Sequence, residues 1–239
     1  MVPALTNRLT APGGWWDVAP HPGEGYRDWV DGARLHWRLL QGGYSMGSSR
    51  RGRTLMRLAR EAERRGIPGA LVDCGVWNGG STAMLAAGGP TRPVYAFDSF
   101  EGLPEPSEQD GPESAGQGGW CHGSEALVRE AIARFVPGAD LRIRAGWFTD
   151  TFPAASEEID RVAVLHCDGD WYESVLLTLE TFYPKVAPGG YVVIDDYGHW
   201  IGARRATDEY RDRVGDHTPL RRIDYTGRWW RKPESARRR

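Results

Sequence analysis

Two short apolar runs that end in carboxylates constrain the fold of this chain most. The first, 164–170, ends with Asp168 and Asp170, and the second, 192–196, ends with two adjacent aspartates. Short apolar runs of this kind are typical of buried strands. In an open parallel sheet, the carboxyl ends of the strands form the edge where ligands bind. The two runs therefore predict a parallel α/β sheet that carries acids at its functional edge.

Asp168, Asp195 and Asp196 are candidate metal ligands. Neighbouring strands lie about 4.8 Å apart, so these three carboxylates can enter one coordination sphere. At such short range they repel one another unless a cation lies between them. Hard oxygen ligands suit magnesium, ahead of calcium or manganese. Each acid taken singly is better explained as a helix cap or a loop residue, but the set of three at two consecutive strand ends predicts a metal site.

The rest of the chain alternates strand-like and helix-like segments. Strands are predicted at 70–73, 94–97, 141–144 and 162–167, and a further strand follows a chain break at 188–190. Helices are predicted near 25–40 and 50–65, over 81–87, from the Ser124 cap to Phe135, and around 175–182 and 203–214, before a terminal hairpin at 220–232. Such alternation requires a doubly wound, mostly parallel sheet. We expect an α/β fold with seven strands, including the antiparallel hairpin, preceded by an N-terminal helical arm.

Composition excludes several classes of function. At 239 residues the chain fits one α/β domain with an N-terminal elaboration, and a net charge of -2 gives no basic field for nucleic acid. We interpret the arginine-rich segments 50–53, 64–65 and 235–239 as solvated helix faces and a frayed terminus. No apolar run reaches the ~18 residues of a membrane span, and the N-terminus lacks a signal-peptide pattern. The cysteines are odd in number, which indicates reduced thiols in a cytoplasmic protein.

Two loop features indicate an organic ligand. The segment 99–123 is too long for a simple connection and is a candidate lid. Aromatic residues on loops suit a flat ring or a sugar face, although surface plugs and subunit contacts explain each of them equally well. The tryptophans concerned are Trp15, Trp16, Trp77, Trp120, Trp147, Trp171 and Trp200.

The turn after the first predicted strand is rich in glycine, which lets the backbone approach a ligand closely. Gly75, Gly79 and Gly80 do not follow the dinucleotide-binding GxGxxG spacing, and Asp73 precedes them. In the class I methyltransferase pattern, an acid in this position lies beneath the methionine moiety of S-adenosylmethionine, and an acid that ends the second strand binds the ribose hydroxyls. Asp98 stands at that second position. Together these residues indicate an S-adenosylmethionine site.

Five segments carry a family resemblance: 71–80, 97–106, 146–153, 165–174 and 183–197. They resemble the macrocin O-methyltransferases, which methylate sugar hydroxyls on macrolides and other glycosylated natural products. The resemblance spans about residues 44–215 and implies a Rossmann-like class I fold, S-adenosylmethionine, magnesium and a deoxysugar hydroxyl as acceptor. We expect residues 67–239 to form the methyltransferase domain, and residues 1–66 to supply lid or subunit contacts in a homo-oligomer. Trp77, Asn78 and Trp171 depart from the family pattern and leave the identity of the acceptor open.

Individual residues receive roles from the resemblance and from their positions. The three candidate ligands would hold magnesium, and Asp170 would be the general base, with capping of the next helix as the alternative. His199 would contact the acceptor or assist proton removal, whereas we interpret His166 as a buried core histidine that points away from the site. The cofactor-binding residues are expected at the strand ends and loops that face the same cleft: Met46, Asp73, Gly75, Asp98, Ser99, Gly146, Trp147 and Asp168.

Three other functions stay open from the sequence. A nucleotide-sugar glycosyltransferase would use Asp168 and Asp170 on a metal-bound diphosphate, but it would not explain Asp73, Asp98 and the glycine turn. A catechol-type O-methyltransferase would need the same vicinal oxygens on magnesium. A cofactor-binding partner that has lost turnover is the non-catalytic alternative, which the intact carboxylate set disfavours. In the favoured function the partner is a glycosylated small molecule, with no nucleic acid and no membrane.

Overall fold

One sheet organises the described part of the chain, residues 25–234 of the computed structural model. Its seven strands are β1 Ala70–Cys74, β2 Val94–Asp98, β3 Leu141–Ala145, β4 Val162–Cys167, β5 Val186–Ile194, β6 Arg221–Arg222 and β7 Arg228–Arg231. They lie in the order β3-β2-β1-β4-β5-β7-β6. Pairs from β3 to β5 are parallel, and the pairs β5–β7 and β7–β6 are antiparallel. The predicted doubly wound sheet with a terminal antiparallel hairpin is confirmed.

Helices cover both faces of this sheet. They are α1 Tyr26–Gln41, α2 Ser49–Arg64, α3 Gly80–Gly88, α4 Glu125–Phe135, α5 Phe148–Glu158, α6 Tyr172–Phe182 and α7 Ile201–Val214. The predicted cap of α4 is confirmed, because the Ser124 hydroxyl accepts a hydrogen bond from the Leu127 amide at 3.4 Å. Within residues 25–234, no helix combines the length and the apolar character needed to cross a membrane. Trp15 and Trp16, predicted as loop aromatics, lie outside the described residues.

Side-chain alternation along the strands divides the core into two layers. On one face, Val164 and Val193 pack with apolar residues of α2, α3 and α4. On the other face, Leu165 and Val192 pack with α5, α6 and α7. His166 lies two residues after Val164 and pairs in register with Asp73 and Val193, so its side chain belongs to the α2–α3 face. On that face, His166 lies beside Asp195, which directly follows β5.

The helix α5 was not predicted from the sequence. Pro153 lies inside it, and a proline lacks the amide that would bond to the carbonyl of residue 149. Tertiary packing holds the helix in place, because Phe152 is 1 % exposed and its ring contacts Phe97 at 5.1 Å and Phe182 at 4.8 Å. These aromatic contacts come from distant parts of the chain.

The chain break predicted at 188–190 is wrong. β5 runs through this segment, and the pairing with β4 shifts there: Val162 faces Val186, whereas Val164 faces Tyr191. Gly189 adopts a φ of 80°, which allows the bulge, and its amide donates to the Lys232 carbonyl at 2.9 Å. The glycines therefore form a bulge inside a strand that is longer than predicted.

Candidate active site

The side chain of Asp73, on β1, is buried, and both of its carboxylate oxygens have hydrogen-bonding partners. Its Oδ2 accepts from the hydroxyls of Ser81 at 2.9 Å and Thr82 at 2.7 Å, both in the first turn of α3. Its Oδ1 lies 2.7 Å from His166 Nδ1. With 0 % exposure, this carboxylate holds the turn after β1 to α3 and β4. It is therefore part of the framework of the predicted cofactor site.

Asp98 organises the next strand end. Its carboxylate accepts hydrogen bonds from the backbone amides of Trp77 and Phe100, each at 2.7 Å. Burial raises the pKa of this carboxyl above its usual range, against the opposing effect of these amides. The Gly146 amide donates to the Asp98 carbonyl at 2.9 Å, which places Gly146 and the adjacent Trp147 beside this strand end. The ends of β1, β2 and β3 thus bring these predicted cofactor residues together.

Gly75 is required by the packing of the protein itself. Its φ is 87°, and a Cβ atom there would lie 2.0 Å from the carbonyl oxygen of Asp168. Only glycine allows the turn after β1 to lie against the end of β4. This contact joins the predicted cofactor turn to the predicted metal ligand Asp168.

The loop that carries Met46 lies against the same turn. The Asn78 side chain donates to the Gly43 carbonyl at 3.0 Å, and a Cβ atom on Gly80 would lie 2.5 Å from the carbonyl oxygen of Tyr44. Met46 is 40 % exposed beside these contacts. Ser99 lies in the turn after β2, where its hydroxyl donates to the Gly102 carbonyl at 3.2 Å. The loop that carries Met46 and the turn that carries Ser99 thus lie near the ends of β1 and β2, and their contact with the cofactor stays a prediction.

Three carboxylates meet where β4 and β5 end. Asp168, Asp170 and Asp196 each place one oxygen within 4.8 Å of the others. Burial raises the pKa of Asp168 and of Asp170 well above the usual range, and repulsion from neighbouring carboxylates raises both further. Burial, with repulsion from Asp195, also raises the pKa of Asp196. The cluster is short of positive charge.

Asp195 lies in a different environment. Burial alone would raise its pKa, but Arg51 and His166 outweigh burial and lower it. Arg51 forms an ion pair with Asp195 Oδ2, and His166 Nε2 lies 3.5 Å from Asp195 Oδ1. Asp195 groups with His166 and Asp168 within 4.8 Å, as a second possible metal set. The three predicted ligands are therefore divided between two groups that share Asp168.

Arg51 was missed as a site residue, and the prediction of a solvated face at 50–53 is wrong for two of its arginines. The Arg51 side chain is 14 % exposed, and Arg53 is 1 % exposed. Arg51 Nε lies 3.2 Å from Asp224 Oδ2, and carboxylates including Asp195 raise the pKa of the guanidinium against the effect of burial. A signal existed, because Arg51 precedes Leu55 by four residues and so continues the apolar stripe of α2.

Asp170 does not cap the helix that follows it. The N-cap position of α6 is Trp171, which makes no side-chain capping bond. The Tyr172 amide instead donates to Asp110 Oδ1 at 2.6 Å, so the long loop supplies the cap. Asp170 has a φ of 56°, and it accepts a hydrogen bond from Trp200 Nε1 at 2.8 Å. With this strained backbone, the carboxylate of Asp170 lies with those of Asp168 and Asp196. Because Asp170 makes no capping bond to α6, the capping alternative is wrong.

The predicted lid, 99–123, is fastened to the body of the protein at several points, one of which is the hydrogen bond from Trp77 Nε1 to the His122 carbonyl at 2.9 Å. Asp110 is 1 % exposed and caps α6, and Trp171 Nε1 donates to the Pro104 carbonyl at 2.8 Å. Trp171 is itself 1 % exposed and contacts the Trp200 ring at 4.9 Å. Trp120, by contrast, is 54 % exposed. The Trp171 indole therefore holds the loop, and the Trp200 indole holds Asp170, the candidate base.

The two histidines of the site occupy different positions. His199 is exposed, its amide donates to the Asp196 carbonyl at 2.9 Å, and its ring contacts Trp200 at 4.3 Å. It therefore borders the acidic cluster as predicted. His166 is a buried, hydrogen-bonded histidine, as predicted, but the expectation that it points away from the site is wrong. Two carboxylates raise its pKa to about 9, against the effect of burial.

Known structures show which class of enzyme has this fold. The chain superposes on the O-methyltransferase NovP with a TM-score of 0.72 and 33% identity, over 80% of this chain and 82% of that one. It also matches an O-methyltransferase from Bacillus cereus, in complex with S-adenosylhomocysteine (SAH), with a TM-score of 0.54. That match covers 95% of each chain at 12% identity, so it shows the fold alone. The architecture is that of an O-methyltransferase.

Sequence comparisons assign the family. The family described as Macrocin-O-methyltransferase (TylF) matches residues 33–232, and the chain belongs to this family. A tetracenomycin-C 4'-O-methyltransferase from Streptomyces olivaceus is 40% identical over 185 residues, which are 72% of this chain and 69% of that protein. Mycinamicin III 3''-O-methyltransferase from Micromonospora griseorubida is 34% identical over 203 residues, 79% and 78% of the two chains. The protein is an S-adenosylmethionine-dependent O-methyltransferase, which sets aside the glycosyltransferase alternative.

Proposed function

We propose that this enzyme transfers a methyl group from S-adenosylmethionine to a sugar hydroxyl of a glycosylated natural product, with the help of magnesium. The observation that carries the proposal is the cluster of Asp168, Asp170 and Asp196 beside the cofactor turn. One relative is named for 4'-O-methylation of a rhamnosyl-tetracenomycin, and a second for 3''-O-methylation of mycinamicin III. Vicinal sugar oxygens and a carboxylate cluster are complementary to one divalent cation.

The strand ends of β1 to β3 fit the cofactor. Asp98 would offer its half-buried carboxylate to the ribose hydroxyls, and Asp73 fixes the turn that the methionine moiety would contact. Gly146, Trp147, Ser99 and Met46 border the same edge. The cofactor supplies an electrophilic methyl group. The role of these residues is to bind and orient it above the ends of the strands.

The ends of β4 and β5 fit magnesium. Asp168 belongs to both carboxylate groups, and we propose that it binds the metal with Asp196 and Asp195. These are oxygen donors of the hard type that magnesium prefers. Bound magnesium lowers the pKa of the acceptor hydroxyl and orients it. Arg51 forms an ion pair with Asp195 Oδ2.

Asp170 is proposed as the general base. A free sugar hydroxyl is a poor nucleophile near neutral pH, so its proton must be removed as the oxygen attacks. The Trp200 indole holds one carboxylate oxygen of Asp170, which leaves the other oxygen for the proton. His199 is exposed and lies beside Trp200, and we propose that it contacts the acceptor.

A methyl-transfer assay tests this function. We expect product with acceptors that carry a deoxysugar, measured by mass spectrometry with and without chelator, and no product with the matched aglycones. Turnover of a catechol, but of no glycoside, would replace the sugar acceptor by the catechol alternative. The homo-oligomeric state and the cytoplasmic location stay predictions that gel filtration and fractionation can test.

A further inference from the structure

His166 lies between the two halves of the active site, and the chemistry proposed above does not use it. The side chain is 1 % exposed. Its Nδ1 lies 2.7 Å from Asp73 Oδ1, and its Nε2 lies 3.5 Å from Asp195 Oδ1. Because β4 lies between β1 and β5, one imidazole faces a carboxylate on either side of its strand.

The polar contacts continue beyond both carboxylates. On the cofactor side, Asp73 binds Ser81 and Thr82 at the start of α3. On the acceptor side, Asp195 binds Arg51 of α2. A continuous line of buried polar groups therefore crosses the sheet from the glycine turn to α2. The imidazole is hydrogen-bonded to Asp73 through Nδ1, whereas its Nε2 makes no hydrogen bond and faces Asp195 Oδ1 at 3.5 Å as a charge contact. A shift of either carboxylate therefore acts on the imidazole that lies between them.

We infer that His166 is a positioning residue that couples cofactor binding to divalent-cation binding, an inference that rests on the proposed function. Asp73 is already held by Ser81, Thr82 and His166, so cofactor bound at the turn after β1 acts on the imidazole through this connected turn, and the imidazole transmits the effect to Asp195. A cation bound at the end of β4 and β5 fixes Asp195 and acts on the turn in the reverse direction. Such coupling is reciprocal, and coupled sites typically change each other's affinity by about 5–150-fold.

A purely structural role would have a different signature. A histidine that only fills space between two carboxylates stabilises the fold, and its loss would weaken both ligands without changing their mutual dependence. The ratio of SAH affinities with and without the cation therefore separates the two roles. This ratio can be measured without turnover.

Two substitutions of His166 test the two contacts of its imidazole separately. His166→Asn keeps an amide near the position of Nδ1, which faces Asp73, and loses the reach to Asp195. His166→Gln extends toward Asp195 and loses the short contact with Asp73. His36→Asn is the matched control, because His36 is also buried, at 4 % exposure, and its Nε2 lies 3.2 Å from the Gly47 carbonyl.

Isothermal titration calorimetry with SAH and MgCl₂ tests the inference. In the parent enzyme, we expect saturating Mg²⁺ to tighten SAH binding about fivefold, and SAH to tighten Mg²⁺ binding by the same factor. Both His166 variants should bind SAH alone and Mg²⁺ alone with a Kd within about threefold of the parent value. The ratio of their SAH affinities with and without Mg²⁺ should fall below about twofold. The His36→Asn control should retain the parent ratio. If one His166 variant does not fold, loss of the ratio in the other supports the inference.

Two results would overturn the inference and leave the proposed function intact. The first is a parent-like ratio in the folded His166 variants, and the second is independent binding of SAH and Mg²⁺ in the parent. Failure of the parent to bind Mg²⁺ at all is a third and different result. It would remove the metal from the proposed function and the inference with it.

Discussion

The two ends of the active-site edge hold their carboxylates in opposite ways. At β1 and β2, Asp73 and Asp98 accept hydrogen bonds from hydroxyls, backbone amides and an imidazole of the same chain. At β4 and β5, Asp168, Asp170 and Asp196 face mainly one another, and their pKa values are raised by burial and mutual repulsion. The first pair accepts several hydrogen bonds from the protein, whereas in the second group the Trp200 indole donates to Asp170 and the carboxylates otherwise face one another.

This difference shows how one sheet edge can serve two ligands. A buried carboxylate that has its donors acts as a fixed framework, because reorienting it would leave those donors unpaired. A cluster of carboxylates that mainly face one another favours the binding of a cation, which replaces protons and relieves repulsion. We therefore expect perturbations of the β4–β5 end to affect turnover and metal binding, and those of the β1–β2 end to affect cofactor binding.

Removal of the metal should have the largest effect. We expect excess chelator to abolish methyl transfer and added MgCl₂ to restore it, because the acceptor hydroxyl loses its activating cation. SAH binding should survive chelation with only about a fivefold loss, since the cation belongs to the acceptor side. Radiometric turnover and calorimetry measure the two effects. Full activity in excess chelator would contradict the proposed metal site.

Asp170→Asn should lower kcat by ~10²–10⁴-fold, the usual contribution of a positioned base. Asparagine tolerates the positive φ of this position, so the fold should be retained. SAH affinity should stay close to that of the parent. Single-turnover kinetics at saturating Mg²⁺ measures the loss of the base.

The Mg²⁺ dependence then separates a base from a ligand. Asp195→Asn is the comparison variant, because it removes a charged candidate ligand and should raise the Mg²⁺ requirement. A similar rise in Asp170→Asn would make Asp170 a ligand instead of the base. Parent-like turnover in Asp170→Asn would make His199 the next base to test, alone and in a double variant.

Asp98→Ala should weaken SAH binding by ~1.5–3 kcal/mol for each charged hydrogen bond lost. Mg²⁺ binding without SAH should change little, because the acidic cluster lies two and more strands away. Calorimetry measures both affinities. Asp140→Ala is the matched control, since Asp140 is an exposed acid at the opposite end of the same sheet region. Unchanged SAH affinity in a folded Asp98→Ala variant would remove Asp98 from the cofactor site.

The smallest effect concerns pH and stability. The raised pKa values of Asp168 and Asp170 mean that, above about pH 4, the folded state holds protons that the unfolded state has released. Without metal, stability should therefore be lower at the higher of two pH values above about 4. Mg²⁺ replaces these protons, so its addition should raise Tm more at the higher pH, by roughly 2–4 °C for each kcal/mol. Differential scanning calorimetry measures the shift, and an equal shift at both pH values would contradict charge repulsion in the cluster.

Much of the fold was predictable because its signals are local. Apolar runs of strand length, the Ser124 cap and the acids at the ends of β1, β2, β4 and β5 can each be recognised within a few residues. Two local signals were misleading. Pro153 disfavours a helix that aromatic packing nevertheless forms, and the glycines near 189 suggest a break where a bulge continues the strand. The domain division at residue 66 stays a prediction.

The sequence by itself determined the sheet and the strand ends at which acids would lie, because side-chain periodicity and turn chemistry act over short distances. Only the tertiary structure decided the partners of those acids. Arg51 reaches Asp195 across 144 positions of the chain, and His166 reaches Asp73 across 93. Which carboxylate receives a donor depends on how α2 and the central strands pack, and no local pattern encodes that packing. The physical reason is that charge compensation in a buried site arises between segments that meet only in the folded chain.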